Sequence, residues 1–303
     1  MFRVRAQIDS DRIPGGYTGK GVTAAILDTG IALHPDFEGR VDHFGDFLHR
    51  REKPYDDAGH GTHVAGILAG SGEVSAGKYR GIAPECRLVV GKVLDQRGEG
   101  SVDAMLKGLA WVREHQRKWK ISLLNISVGI GKIRWDADME KLIRAVEELW
   151  LRGVVVVAAA GNAGPLPGSM STLGLSGKVI TVGCHEGGYF GNRGSLCENY
   201  SGRCSDGAAV HKPDVVAPGT DIISCDYHVR RTIRGWQYPY VQKSGTSMAA
   251  PIVSGAAALY LQKNKNARPE DVKRSMLLSA TDLKRPWTEQ GWGMINVRRM
   301  LEK

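Results

Sequence analysis

Gly245-Thr246-Ser247-Met248-Ala249-Ala250-Pro251, continued by Ile252-Val253-Ser254-Gly255-Ala256-Ala257, decides how this chain is read. A glycine turn hands one serine to the start of an alanine-rich helix, predicted over roughly 247–263. Gly245 and Gly255 permit close backbone approach, and the alanines leave no bulk beside the hydroxyl. Free amides and the dipole at a helix N-terminus favour developing negative charge, which suits a nucleophile attacking a carbonyl. The plainer alternative is an N-cap serine on a buried helix, and for an isolated serine it is the better one. The rest of the chain reverses that preference.

A serine nucleophile needs a base to take its proton and a carboxylate to orient the base. Asp57-Ala58-Gly59-His60-Gly61-Thr62-His63-Val64-Ala65-Gly66 offers the base, with glycines on both sides of His60 and a small-residue helix from Gly61 to Ala69. Val22-Thr23-Ala24-Ala25-Ile26-Leu27 reads as a buried strand that delivers Asp28, before Thr29-Gly30, to its carboxyl end. Open α/β sheets place their sites there. The order is Asp28, His60, Ser247.

Ile26-Leu27-Asp28-Thr29-Gly30-Ile31, His60-Gly61-Thr62-His63-Val64-Ala65-Gly66 and Gly245-Thr246-Ser247-Met248-Ala249-Ala250-Pro251 resemble the three signature blocks of subtilisin-like serine proteases. The Asp–His–Ser order matches that family too. Each block alone is moderately specific; three in order are very specific, and the resemblance runs from about Gly16 to Val297. It implies a serine endopeptidase with Asp28, His60 and Ser247 as the triad. A fourth block, the buried strand Gly153-Val154-Val155-Val156-Val157-Ala158-Ala159-Ala160, ends in Gly161-Asn162-Ala163-Gly164. By resemblance Asn162 is the neutral donor to the oxyanion, together with the Ser247 N–H; without that context it reads as a turn asparagine.

The resemblance also places substrate. Asn125-Ile126-Ser127-Val128-Gly129 matches the segment that pairs with an extended peptide, and Gly98-Glu99-Gly100 matches the opposing edge. Gly174 corresponds to the floor of the first specificity pocket, which implies a large apolar residue before the scissile bond. Ala163 stands at a rim position that is charged in some members, which weakens a case for basic residues, and Glu99 lies close enough to alter the preference.

Further apolar runs at 88–94, 121–128, 153–160 and 178–183 read as buried strands. Between them, 102–118 and 137–152 show helical spacing, with Met105, Leu109, Val112 and Leu142, Val146, Leu149 on the apolar faces, and 269–279 adds another helix. Strand–helix alternation predicts an α/β fold: one doubly wound, mostly parallel sheet with helices on both faces. Length alone allows two domains, but Asp28 and Ser247 must meet in one cleft. The expectation is a short N-terminal segment over 1–20 and one catalytic domain over 21–303.

Residues 1–20 carry no signal-type apolar core, and no run is long enough to span a bilayer. The resemblance is nearest the intracellular and AprX-like bacterial branch, so a cytoplasmic location is expected, with the residues around Ile13-Pro14 a candidate inhibitory or processed segment. Five cysteines without metal-type spacing read as free thiols, with Cys197–Cys204 the one bridge considered. His60 and His63 are a weak zinc signal, and His63 is structural by resemblance. No cofactor is required for the chemistry. Asp36 stands where many members hold a structural calcium, but the loop 70–77 departs from their ligand pattern and does not supply the six to eight oxygens calcium needs. Both readings of Asp36 stay open.

Lys+Arg 41 against Asp+Glu 32 gives a net charge of +9, with basic clusters at 113–120, 230–234 and 263–274. No nucleic-acid motif or aromatic-interleaved groove accompanies them, so the expected partner is a protein or peptide substrate, without nucleic acid or membrane. Attraction to acidic substrates is an intermediate reading. Two rivals are an ester or lipid hydrolase, which lacks the Gly-x-Ser-x-Gly elbow here, and a silent or latent binding relative, which would usually have lost a triad member.

Overall fold

The run predicted to deliver Asp28 forms strand β1 (Thr23–Asp28), buried along its whole length in the computed structural model. The structure describes residues 1–303 except 12, 14, 129–136, 192–195, 206, 209 and 303. Strands β2 (Val41–Asp46), β3 (Arg87–Lys92), β4 (Ile121–Ile126), β5 (Val155–Ala159), β6 (Ile180–Cys184) and β7 (Val215–Ala217) join β1 in a seven-stranded sheet of order β2-β3-β1-β4-β5-β6-β7. Every pairing is parallel. Strand order reverses where β1 lies between β3 and β4, which opens a crevice at the carboxyl ends of β1 and β4.

Among the described residues the helices are α1 (Phe2–Gln7), α2 (His60–Ala69), α3 (Val102–His115), α4 (Ala137–Leu151), α5 (Thr246–Lys263), α6 (Pro269–Ser279), α7 (Trp287–Gln290) and α8 (Val297–Glu302), of which α2 to α6 lie where the sequence predicts them. Ser101 caps α3 by accepting from the Ala104 N–H, and Arg113 and His115 sit in its last turn, where cations suit the dipole. The faces predicted for α3 and α4 are the buried ones. Helices α2 and α5 pack together, with α5 against β4, β5 and β6; α3 and α4 form a second pair, against β1 and β5 respectively. β1, β5 and β6 are buried at every residue, as strands covered on both faces must be. Small residues let α5 approach closely: a Cβ on Gly255 would stand 2.4 Å from Ile82 Cβ.

Several regions were not anticipated, β7, α7 and α8 among them. β2 is half-exposed and shows no apolar alternation. Beyond the main sheet, β8 (Ile222–Cys225) pairs antiparallel with β11 (Tyr240–Lys243), and β9 (Arg230–Thr232) with β10 (Gly235–Gln237). At the N-terminus, Met1, Val4 and Ile8 are buried in the same core as the sheet, Arg3 pairs with Glu186 at 3.0 Å, and Val297 N–H donates to Ile8 O. Residues 1–8 thus pack near Glu186 and α8; Ile13 is partly buried against the core, and Pro14 lies outside the described residues.

Candidate active site

Gly59, in the left-handed region at φ 77°, precedes α2, and Gly61 lies against the end of β1, where a Cβ would come 2.2 Å from Gly30 O. Only glycine allows that approach. It sets His60 beside Asp28: Nδ1 donates to Asp28 Oδ1 at 2.7 Å, and the Thr29 N–H donates to the same oxygen at 2.7 Å. Asp28 is wholly buried, while the His60 side chain is 27% exposed, so Nε2 is the nitrogen left for chemistry. Burial opposes a charged ring, yet the charge and hydrogen bond of Asp28 outweigh it and hold the His60 pKa above its ordinary value, against the charge of Lys243.

Two polar groups that sequence reading missed brace this pair. Asp56 accepts from the N–H groups of Ala58, Gly59 and Thr62 and from the hydroxyls of Thr62 and Thr29, while Thr29 Oγ1 accepts the Gly61 N–H. These donors overcome burial and keep its carboxylate below the usual range. An Asp three residues ahead of a glycine-led helix is the signal that would have found it. Lys92, fully buried at the end of β3, donates to Thr29 O (2.8 Å), Leu94 O (2.8 Å) and Asp57 Oδ1 (2.6 Å). It ties the loops beyond β1 and β3 together. Nothing in its local sequence foretells those carbonyls.

Ser247 is half-buried in the first turn of α5, after Gly245 at φ 145°. It lines one cleft of about 310 Å³ with His60, Gly98, Ser127 and Val128, bordered also by Leu94 and Arg97. Asn162 reaches the same turn: its Oδ1 accepts from Thr246 N–H and Oγ1, both at 3.0 Å. That fixes the amide with Nδ2 as its remaining donor, 3.2 Å from where a Cβ on Gly245 would stand. Asn125, buried at the end of β4, donates to Ser127 Oγ and accepts from Ser254 Oγ, each at 2.8 Å, so one cleft wall is pinned to the serine-bearing helix.

Gly98 lies on a turn whose Asp95 accepts the Arg97 and Glu99 N–H groups, and a Cβ on Gly100 would strike Leu94 Cδ2 at 2.4 Å. Gly129 lies outside the described residues. Gly174 is buried in a short helical turn, and the room expected above it is filled: a Cβ there would stand 3.0 Å from Met170 Sδ and 2.9 Å from Thr181 Cγ2.

The Asp36 carboxylate is engaged by protein donors from three parts of the chain. It accepts the Gly72 N–H (3.0 Å), the Val74 N–H (3.3 Å), the Tyr240 hydroxyl (2.9 Å) and the Cys225 thiol (3.6 Å). His34 and Cys225 bring a nitrogen and a sulfur within 4.8 Å of this carboxylate, a His–Asp–Cys set that could hold a metal ion but differs from the six to eight oxygens calcium takes. The 70–77 loop supplies N–H groups in place of ligands. His63 lies away from any metal-type set: Nε2 faces Ile222 O (3.0 Å) and Val241 O (3.1 Å), and burial pushes its pKa down to about 3. The cysteine reading is corrected. Cys184 and Cys197 form a disulfide, with Cα atoms 5.7 Å apart, while Cys86, Cys204 and Cys225 are free and buried. The end of β6 faces the turn at Cys197, which sequence separation alone did not reveal.

A parallel α/β sheet whose switch-point cleft joins an Asp–His pair to a helix-borne serine defines a class of hydrolase, and comparison with known proteins supplies its family. The model of the "Subtilase family" matches residues 19–293, so the chain belongs to the subtilase family. It is 42% identical over 277 residues to "Serine protease AprX" of Bacillus subtilis (strain 168), covering 88% of this chain and 62% of that protein, so it spans under two thirds of that relative. "Subtilisin Savinase" of Lederbergia lenta is 34% identical over 93% of this chain and 91% of its own length. Among solved structures, a cold-adapted subtilisin-like serine proteinase superposes with TM-score 0.72 at 31% identity, covering 93% of this chain and 89% of that one. "Sphericase" superposes with TM-score 0.81 at 26% identity, covering 98% and 97%. Among the described residues no helix is long and apolar enough to cross a membrane.

Proposed function

We propose that this chain hydrolyses peptide bonds of protein substrates through an acyl-enzyme on Ser247. The observation that carries the reading is the His60 Nδ1–Asp28 Oδ1 hydrogen bond of 2.7 Å at the wall of the cleft that Ser247 also lines. His60 Nε2 takes the Ser247 proton as Oγ attacks the carbonyl carbon, and Asp28 holds the tautomer and stabilises the imidazolium. Asn162 Nδ2 and the Ser247 N–H receive the oxyanion. His60 then protonates the leaving amine, and water, deprotonated by His60, releases the acid and restores Ser247. Every proton and electron pair in these steps is carried by side chains, substrate and water, so the scheme calls on no cofactor.

Extended substrate lies between the edge at Gly98 and Gly100 and the edge at Ser127, Val128 and Gly129, held by backbone hydrogen bonds. A large apolar residue precedes the scissile bond, with the Met170 thioether above Gly174 moving to admit it, as a flexible side chain can. The test is hydrolysis of casein and of a short neutral peptide with Phe before an amide reporter. Ser247→Ala is expected to lower kcat on the order of 10⁶, the scale of nucleophile loss in subtilisin. Undiminished cleavage by that variant sinks the assignment, and casein cleavage without peptide cleavage refutes the apolar pocket alone.

A further inference from the structure

Residues 226–243 carry chemistry that the scheme above leaves unused. β8 and β11 pair from Tyr240↔Cys225 to Lys243↔Ile222, and the chain between them projects the β9–β10 ribbon. Ile233 at its turn is fully exposed, and Trp236 and Tyr238 are exposed as well. From Tyr227 to Lys243 there is no acidic residue, and Arg230, Arg231, Arg234 and Lys243 are all cationic. Arg230 lies over the Tyr238 ring and Arg231 over Trp236; among the described residues none of the three arginines pairs with a carboxylate.

The ribbon is joined to the cleft at its base. The Tyr227 ring fills the space beside Gly59, where a Cβ would meet Tyr227 Cδ1 at 2.2 Å, one residue from His60. On the return, β11 ends at Lys243, four residues before Ser247, and the Lys243 charge is felt at His60. Between ribbon and the 33–41 segment runs a groove of about 410 Å³, with Leu33, Pro35 and Phe37 on one side, Arg231 and Trp236 on the other, and Glu38 at its border.

We propose that this ribbon and groove are an exosite for acidic stretches of protein substrate, which hold an apolar side chain in the groove and carboxylates against the arginines while a neighbouring bond enters the cleft. The inference rests on the endopeptidase reading above. A polypeptide fits better than a lipid surface for three reasons. Trp236 walls a groove with Leu33, Pro35 and Phe37, a two-stranded ribbon presents backbone edges with which an extended chain can pair, and its base abuts the cleft. Solvent-exposed guanidinium groups attract carboxylates from a distance, so they raise encounter rates at low salt and lose that effect as salt rises.

The test compares wild type with the triple variant Arg230→Gln, Arg231→Gln, Arg234→Gln, and separately with Trp236→Ala, on casein and on the short neutral peptide across a salt series. The triple variant is expected to lose about tenfold in kcat/KM on casein at low salt and to flatten its salt dependence, with peptide hydrolysis unchanged. Trp236→Ala should move casein in the same direction. Wild-type casein kinetics and salt slope in the triple variant overturn the exosite, and so does an equal loss on casein and peptide. Binding of wild type to phosphatidylserine vesicles that the triple variant loses, with casein kinetics unchanged, assigns the ribbon to a membrane and also overturns it. If wild type cleaves neither substrate, the endopeptidase reading falls first.

Discussion

Two aspartates eight residues apart each stand beside a histidine, built from the same side chains and set to opposite ends. Asp28 and Asp36 are both wholly buried. Asp28 takes two donors on Oδ1, one of them His60, and its buried Oδ2 has no hydrogen-bond partner among the described residues. Asp36 is saturated by amides, a phenol and a thiol, and His34 stands 3.8 Å off with Nδ1 accepting the Asp36 N–H and Nε2 donating to Pro239 O. His34 therefore has no proton to offer the carboxylate, and burial draws its pKa down, whereas the Asp28 contact holds that of His60 up. An Asp beside a His is not a catalytic pair until the ring donates to the carboxylate and shows its other nitrogen to a cleft. That contrast is where the molecule is most open to test.

The largest expected effect separates the two aspartates. Asp28→Asn should leave the fold intact and lower kcat by roughly 10⁴, because the amide no longer selects the tautomer or stabilises the imidazolium. Asp36→Asn should leave peptide kcat/KM near wild type at 25 °C. It should instead lose about 1–3 kcal/mol of stability, since the amide NH₂ faces donors that need an acceptor. For a domain of this size that amounts to a melting point lower by several degrees. Circular dichroism melts beside peptide assays read both. A large kcat loss in Asp36→Asn would erase the distinction.

The same contrast shows what the sequence could and could not reveal. Asp28 was legible because an apolar run announces a buried strand, and an acid at its end falls at the carboxyl edge where open α/β sheets place their sites. Ser247 was legible because glycine, alanine and proline at fixed offsets describe a tight turn into a close-packed helix. Asp36 was visible as a position but not as a chemistry, since its partners Cys225 and Tyr240 lie far along the chain and its loop amides have no side-chain signature. Asp56 and Lys92 escaped for the same reason: what they hold is mostly backbone. The β9–β10 ribbon showed only as a basic cluster, because its strands are too short for periodicity to speak.

A smaller effect sharpens the His60 side of the comparison. A ring whose pKa is raised keeps its proton to higher pH, and only the neutral ring can accept the Ser247 proton. The acid limb of kcat/KM on the neutral peptide is therefore expected to have its midpoint above the ordinary value of 6.5 for histidine. Since Asp28 supplies the raising contacts, the residual activity of Asp28→Asn should titrate at lower pH than wild type. A limb at or below 6.5 in wild type, unmoved in the variant, would show that the 2.7 Å contact does not govern the base.

The smallest effect belongs to Asp36 and metal. A ligand bound only to the folded state at a hundred times its dissociation constant adds about 2.7 kcal/mol, which chelation would remove as several degrees of melting temperature. Because four donors already occupy the Asp36 carboxylate, EDTA is expected to leave the melting point where it was, in wild type and in Asp36→Asn alike. A drop in wild type that Asp36→Asn abolishes would place calcium at this carboxylate. It would require the Gly72 and Val74 amides to turn away and carbonyls to take their place. A drop common to both proteins would put the ion elsewhere and leave the contrast between the two aspartates standing, because the Gly72 and Val74 N–H groups would still be what ties Asp36 to the 70–77 loop.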